Sequence, residues 1–282
     1  MSVHLFIPDC QVRPEAPTDQ LDWIGKYLVN IKPDVVVNIG DFADMPSLSF
    51  WDVGKKASEG RRVEDDLKAA RDGMAKLMQP LITYNDQRRV WKEKQYKPRL
   101  VLTLGNHEDR ITRSIENDAK WDGKLTLDDL NYELYGWEVH PFLEVVTIDG
   151  VAYSHYFANP MTGRPLGGMA ATRLKTIGHS FSMGHVQTLD MAQRFLANGE
   201  RQRALICGAS YLHDEEYKGP QGNPHWRGII VKHEVSDGGY DLMEVSLDYL
   251  CRKYEQMPVR KFMQEKYGLD YMGIGEPVEV AA

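Results

Sequence analysis

Gly105-Asn106-His107-Glu108 places an amide, an imidazole and a carboxylic acid directly after Arg99-Leu100-Val101-Leu102-Thr103-Leu104, an apolar run with β-branched members. Such a run reads as a buried strand, and Gly105 permits a sharp turn at its end. In that position Asn106 offers a hard oxygen to a metal and His107 offers a proton carrier. Taken alone, the four residues also describe an Asn-bearing turn with an exposed His. Four further strand ends carry polar residues: Asp9/Gln11, Asp41/Asp44, His155 and His185/Gln187. Strands of one sheet, or of two packed sheets, bring such ends to a common edge, where ligands bind in open α/β sheets. Carboxylate, amide and imidazole without thiolate form a hard-to-borderline donor set suited to Mn, Fe, Zn or Mg. One carboxylate between two metals would give the clamp used in phosphoryl displacement.

The elements that must position these residues are legible in order. Val3–Ile7 and Val35–Ile39 read as buried strands on either side of an amphipathic helix over 18–29, with Leu21, Ile24 and Leu28 on one face and Thr18 as its cap. This βαβ pattern implies parallel pairing with both sheet faces covered. Residues 42–61 form a long loop, and Val63, Leu67, Ala70, Met74, Leu77 and Leu81 recur at helical spacing, predicting a helical stretch over 63–95 that Pro80 kinks or divides. Glu64-Asp65-Asp66 reads as its solvated start. Residues 109–136 read as helical or irregular. Asp149-Gly150 marks a hairpin between 143–148 and 151–154. Further expectations are a loop over 158–168, a helix over 169–177, a strand over 180–183, strand pairs 189–195/203–207 and 226–232/240–245, and helix over 247–267.

Composition bounds the class. The chain has 282 residues, 42% of them hydrophobic and 10% aromatic, as in an ordinary globular protein. A net charge of −7 argues against a broadly basic nucleic-acid-binding surface but leaves room for a local basic groove. No apolar run is long enough to span a bilayer, and Met1-Ser2-Val3-His4-Leu5 lacks the basic and apolar regions of a signal peptide. Cys10, Cys207 and Cys251 are odd in number and scattered, which disfavours a disulfide scaffold or a thiolate zinc site. The expectation is a cytoplasmic protein with reduced thiols and no membrane partner.

The order Asp-x-(His), Gly-Asp-x-x-Asp, Gly-Asn-His-Glu, His and Gly-His-x-(His) resembles the calcineurin-like metallophosphoesterase superfamily across residues 9 to 187. The resemblance implies an α/β fold, an αββα sandwich of two mixed β-sheets flanked by helices. It further implies two divalent metal ions bridged by a carboxylate, and hydrolysis of phosphomonoesters or phosphodiesters. It puts Asp41 between the ions, with Asn106, His155 and His185 completing one site and Asp9, Gln11 and Gln187 the other. His107 becomes the general acid, oriented by Asp44, and the attacking group is a water or hydroxide between the metals. Where the family usually has His in its first and last motifs, this chain has Gln11 and Gln187, neutral oxygen ligands that favour a harder ion such as Mn²⁺ over zinc. The expectation is one domain over 1–282, with strands and helix at about 188–270 completing it.

Three functional readings follow. The leading one is a phosphoesterase, a phosphodiesterase in preference, acting on a small phosphoester or nucleotide; the charge argument is that a diester asks less of a site missing two imidazoles. The second is a nuclease acting on DNA or RNA ends, which need few phosphate contacts. The third is a non-catalytic metal- or phosphate-binding module, against which His107 and Asp44 argue. Asn106 and Arg110 are candidate substrate contacts. Tyr211, His213 and His225 lie in a polar stretch that could border the cleft, whereas His4, His140, His179 and His233 read as strand or turn residues and Cys10 as core.

Overall fold

The short apolar runs pair in parallel because helices carry the chain back between them. A computed structural model describes residues 1–52, 54–215 and 218–273. In it β1 (Ser2–Ile7), β2 (Val35–Asn38), β3 (Arg99–Thr103) and β4 (Glu138–His140) lie side by side and parallel. The crossovers carry α1 (Asp19–Ile31), α2 (Val63–Val90) and α3 (Asp109–Asn117). A second sheet follows, from β5 (Val146–Ile148), β6 (Val151–Tyr153), β7 (Phe181–Met183), β8 (Leu189–Phe195) and β9 (Arg201–Cys207), in the order β5-β6-β7-β9-β8, with α4 (Ala170–Ile177) before β7. After the four-residue α5 (Gly219–Gly222), β10 (Gly228–Ser236) and β11 (Gly239–Ser246) return to the first sheet, giving β11-β10-β1-β2-β3-β4. Helices α6 (Leu247–Glu255) and α7 (Val259–Tyr267) close the described chain.

Strand alternation sorts the apolar side chains into layers. Leu5, Ile7, Val36, Leu100 and Leu102 pack with residues of α1, α2, α6 and α7 on one face of the first sheet. Phe6, Val35, Val37 and Val101 face the other way and meet Val146, Val151, Tyr153 and Leu205 of the second sheet. On the far side of that sheet Phe181, Met183 and Ala204 pack with Ala170 and Leu174 of α4. The result is an α/β structure of two mixed sheets flanked by helices. Among the described residues no helix is long and apolar enough to cross a membrane.

Hairpin turns form where the sequence marks them. Asp149 and Gly150 both have positive φ (49° and 81°), as do Asp237 and Gly238 (47° and 80°), which suits the right-handed twist of the strands they join. Five details differ from expectation. Thr18 makes no side-chain cap to α1, and its Oγ1 accepts from Lys76 Nζ instead at 3.3 Å. The helix over 63–95 ends at Val90, and the stretch 247–267 divides at Gln256, which sits in the left-handed region ahead of Pro258. Asp66 is buried rather than solvated, its carboxylate accepting the Ser47 N–H at 2.8 Å. Pro80 does not divide α2: its ring lies against Gly25 of α1, where the missing side chain leaves it room.

Gly25 therefore sets the spacing of two helices that cover the first sheet. A Cβ there would stand 2.2 Å from the Leu77 carbonyl oxygen and 3.0 Å from Pro80 Cγ. By helix propensity alone Gly25→Ala should stabilise by about 1 kcal/mol. The backbone clash should reverse the sign, for a net loss of about 1–3 kcal/mol. Thermal unfolding checks this: Gly25→Ala should lower Tm by several degrees, and an unchanged or raised Tm would show that the helices can part.

Candidate metal centre

Each sheet delivers its polar residues through strained turns at the carboxyl ends of its parallel strands. Gln11, Asp41 and His185, which follow β1, β2 and β7, all lie in the left-handed region (φ 42°, 48° and 65°). Non-glycine residues hold such conformations at a cost of roughly 1–3 kcal/mol each, and only where surrounding contacts over-determine them. Here the contacts are explicit. The N–H groups of Cys10 and Gln11 donate to the Asp41 carbonyl (3.1 and 2.8 Å), Val12 N–H to Phe42 O (2.7 Å), and Asp44 N–H to Val12 O (2.9 Å). Gly105 and Gly184 sit where a Cβ would strike a carboxylate, at 2.1 Å from Asp41 Oδ1 and 2.2 Å from Asp9 Oδ1.

Glu108 holds these turns together. Its side chain is wholly buried, and its carboxylate accepts the backbone N–H groups of Asp41 and Gly105 on Oε2 and of Ala43 on Oε1, all at 2.9 Å. Tyr132 adds a hydroxyl at 3.4 Å. Burial, then the neighbouring Asp41 charge, pushes the Glu108 carboxyl above its ordinary range, against the Ala43 and Gly105 N–H groups.

Four donor atoms converge beside this bracket. His155 Nε2 lies 3.2 Å from Asp41 Oδ2 and 3.0 Å from Asn106 Oδ1, and His185 Nδ1 lies 2.7 Å from the same Asn106 oxygen. Ligand atoms of Asp41, His155 and His185 all lie within 4.8 Å of one another. His155 Nδ1 is 2.9 Å from the Ile39 carbonyl, which can only accept, so Nδ1 carries a hydrogen and Nε2 is the atom turned to the cluster. A backbone carbonyl on the outer nitrogen is a common device for orienting a metal-ligating histidine. Burial alone would lower the His155 pKa, yet the Asp41 carboxylate against it carries it up to about 9. Burial and the His155 charge pull His185 down to about 4. Asp41, which burial would raise, is held well below the carboxylate range by the charges of His107 and His155. An anionic oxygen, an amide oxygen and two imidazole nitrogens at one point fit a divalent ion of borderline hardness.

A second unit adjoins the first. His107 donates its backbone N–H to Asp41 Oδ1 at 2.9 Å, and its Nδ1 lies 2.7 Å from Asp44 Oδ1. Burial opposes charge on this imidazole, but Asp41 and the Asp44 hydrogen bond raise its pKa above the usual histidine value. Asp44 in turn is held at about 2, burial being outweighed by His107, Arg110 and Arg13. Arg110 sends Nη1 to the Asp44 carbonyl (2.9 Å) and brings Nη2 to 3.2 Å from His107 Nε2. Arg13 spans Asp44 Oδ2 and Glu215 Oε2 (3.4 and 3.3 Å).

Away from His155 the donors are sparser. Asp9 accepts the His185 N–H (3.2 and 3.3 Å), and burial pushes its carboxyl up to about 8. Gln11 is buried with Oε1 lacking any hydrogen-bond partner. Gln187 turns its oxygen to the Tyr211 hydroxyl (2.7 Å) and to Lys218 Nζ. The polar stretch from 211 borders the site here: Tyr211 stacks on His213 at 4.6 Å, His213 Nε2 meets Glu215 Oε1 at 3.1 Å, and His225 Nε2 lies 3.5 Å from the Tyr211 hydroxyl. His179 brings its Nδ1 to 3.2 Å from the neighbouring Ser180 carbonyl. Sequence reasoning gave Glu108, Arg13 and Lys218 no role; Glu108 was signalled by its place in the Gly-Asn-His-Glu run, while no pattern marks the other two.

No protein-family model matches the sequence, and no curated protein matches it. Among solved structures, the phosphoesterase Yfce from E. coli is similar at 12% identity, over 87% of this chain and 99% of that one, with a TM-score of 0.34. A likeness at that score adds nothing to what the geometry says.

The bracket can be tested apart from the ligands. Glu108→Gln keeps the shape but replaces one acceptor oxygen with an NH₂ that faces backbone N–H groups, leaving buried donors unmet. Although Glu108 offers nothing to the ion, the variant should bind Mn²⁺ about 10–100-fold more weakly by calorimetric titration, as loss of a supporting group does. Wild-type affinity in a folded Glu108→Gln would show that Asp41 holds its place without the bracket.

Proposed function

We propose that this chain is a metal-dependent phosphoester hydrolase of the calcineurin-like metallophosphoesterase superfamily, acting on phosphodiesters in preference to monoesters. The observation that carries the reading is one edge holding two units at once: the Asp41, Asn106, His155 and His185 donors, and beside them an imidazole that Asp44 fixes and that is not needed as a ligand. A binding module has no use for the second unit.

The residues divide the work. Asp41, Asn106, His155 and His185 would hold the ion, and Mn²⁺ suits a mixed oxygen and imidazole set of this kind. When bound, it would supply Lewis-acid polarisation of the phosphoryl oxygens. Asp44 occupies His107 Nδ1, so Nε2 is the atom that hands a proton to the leaving oxygen. Arg110 Nη2, which can only donate, lies 3.2 Å from that nitrogen, so a phosphate that draws the guanidinium to itself leaves Nε2 free to carry the proton it gives up. The second ion that the resemblance implies would depend on Asp9, Gln11 and Gln187. The orphaned Gln11 oxygen suits a cation, but the Gln187 oxygen is already engaged by Tyr211 and Lys218, so this set does not fit a complete second site. A diester, with one charge fewer than a monoester dianion, asks less of such a site.

One observation favours a nucleotide or nucleic-acid end as the ester. Phe50 and Trp51, 78% and 79% exposed, pack edge to face on the loop that begins at Asp44. Lys55, Lys56 and Arg62 follow within that loop, while Arg61 is taken up by Asp52 at 2.8 Å. Exposed rings on a loop that also carries cations suit base stacking and phosphate contact.

A substrate panel tests the reading. With Mn²⁺ added, bis-p-nitrophenyl phosphate and a dinucleotide should turn over with higher kcat/KM than p-nitrophenyl phosphate; a monoester kcat/KM at or above the diester value would overturn the preference. His107→Ala should lower kcat about 10²–10⁴-fold on an alkyl ester while keeping its metal. The loss should shrink with a p-nitrophenolate leaving group, which departs without a proton. Full activity of His107→Ala on the alkyl ester would remove the general acid from the account.

A further inference from the structure

The amide of Gln187 shows what stands where a second ion would be completed. Its oxygen accepts from the Tyr211 hydroxyl at 2.7 Å and from Lys218 Nζ, two donors for the two lone pairs of one carbonyl. Tyr211 cannot readily turn away: it is wholly buried, stacked on His213 at 4.6 Å, and covered on its ring by the Arg227 guanidinium at 4.9 Å. Lys218 Nζ also lies 3.3 Å from the Tyr211 hydroxyl. A divalent ion at this position would have to displace an ammonium from the oxygen it needs, at close range to that ammonium's charge.

We propose that the site holds one divalent ion, at Asp41, Asn106, His155 and His185, and that the Lys218 ammonium takes the place of the second, presenting its positive charge to the phosphoryl group of the substrate. The inference rests on the hydrolase reading for its substrate but not for its metal count. It accounts for the glutamine at 187: a neutral amide there can accept from a lysine that an imidazole liganded to a metal would repel. One divalent ion with one fixed monovalent cation matches the single negative charge of a diester more closely than two divalent ions do. Preorganised positive groups of this kind act on charge as it develops on the phosphoryl oxygens.

Metal content and turnover test it with the full chain. Mn²⁺ titrated into metal-free protein by calorimetry, with bound metal counted after dialysis, should show one ion per chain. Lys218→Met should leave that ion in place and lower kcat/KM for bis-p-nitrophenyl phosphate about 10²-fold, the scale of removing one such group, while Lys218→Arg should recover most of it. Lys218→Glu, which sets a carboxylate beside Gln187, should raise the count to two. Two ions of similar affinity on the wild type, unchanged turnover in Lys218→Met, or a Lys218→Glu variant still at one ion would each overturn the proposal. If no phosphoester is hydrolysed with any metal, the hydrolase reading fails, while the metal counts of wild type and Lys218→Glu still decide what Lys218 replaces.

Discussion

The arrangement depends on three backbone N–H groups meeting one buried carboxylate. Glu108 accepts from Asp41, Ala43 and Gly105, and so joins the turn after β2 to the turn after β3. Without that acceptor the left-handed conformation of Asp41 has less to hold it, and three buried donors would go unmet. Asp41 in turn is the hub of the centre: its carbonyl receives the turn after β1, Oδ1 receives the His107 N–H, and Oδ2 faces His155. The left-handed conformations of Asp41, Gln11 and His185 thus lie at the edge where the two sheets deliver their strand ends.

The electrostatics follow from the same burial. Asp41, Asp9 and Glu108 lie close together out of water, and such a cluster is stable only if positive charge sits among it. His155 and His107 supply it here through raised proton affinities, and Asp41 is the group that stays ionised. A bound cation would take over that duty at His155, freeing Nε2 as a ligand. His107 differs in that its Nδ1 is held by Asp44, which lies outside the donor set, while Asp41 also raises its proton affinity.

Much of this was legible in the sequence, for identifiable reasons. Buried parallel strands announce themselves as unbroken apolar runs, and Val35-Val36-Val37 and Leu100-Val101-Leu102 also showed where the polar turns must start. The pairs Asp149-Gly150 and Asp237-Gly238 marked hairpins because their backbone needs positive φ at both positions. Pro80 does not divide the stretch, and its ring sits against Gly25 of another helix, a packing partner that local propensity does not see. Asp66 misled because a helix start that looks solvated is covered by the loop bearing Ser47. Tyr211, His213 and His225 marked their stretch as a border of the cleft, but nothing in the local sequence reports that Lys218 reaches Gln187 or that Arg13 joins Glu215 to Asp44.

The measurement that bears most directly on the account is anomalous diffraction from crystals grown with Mn²⁺. The account predicts a strong peak bounded by Asp41 Oδ2, Asn106 Oδ1, His155 Nε2 and His185 Nδ1, with His107 outside the coordination shell and still hydrogen-bonded to Asp44. A peak that takes His107 as a ligand, or no peak between Asp41 and His155 in crystals whose protein binds Mn²⁺ in solution, would contradict it.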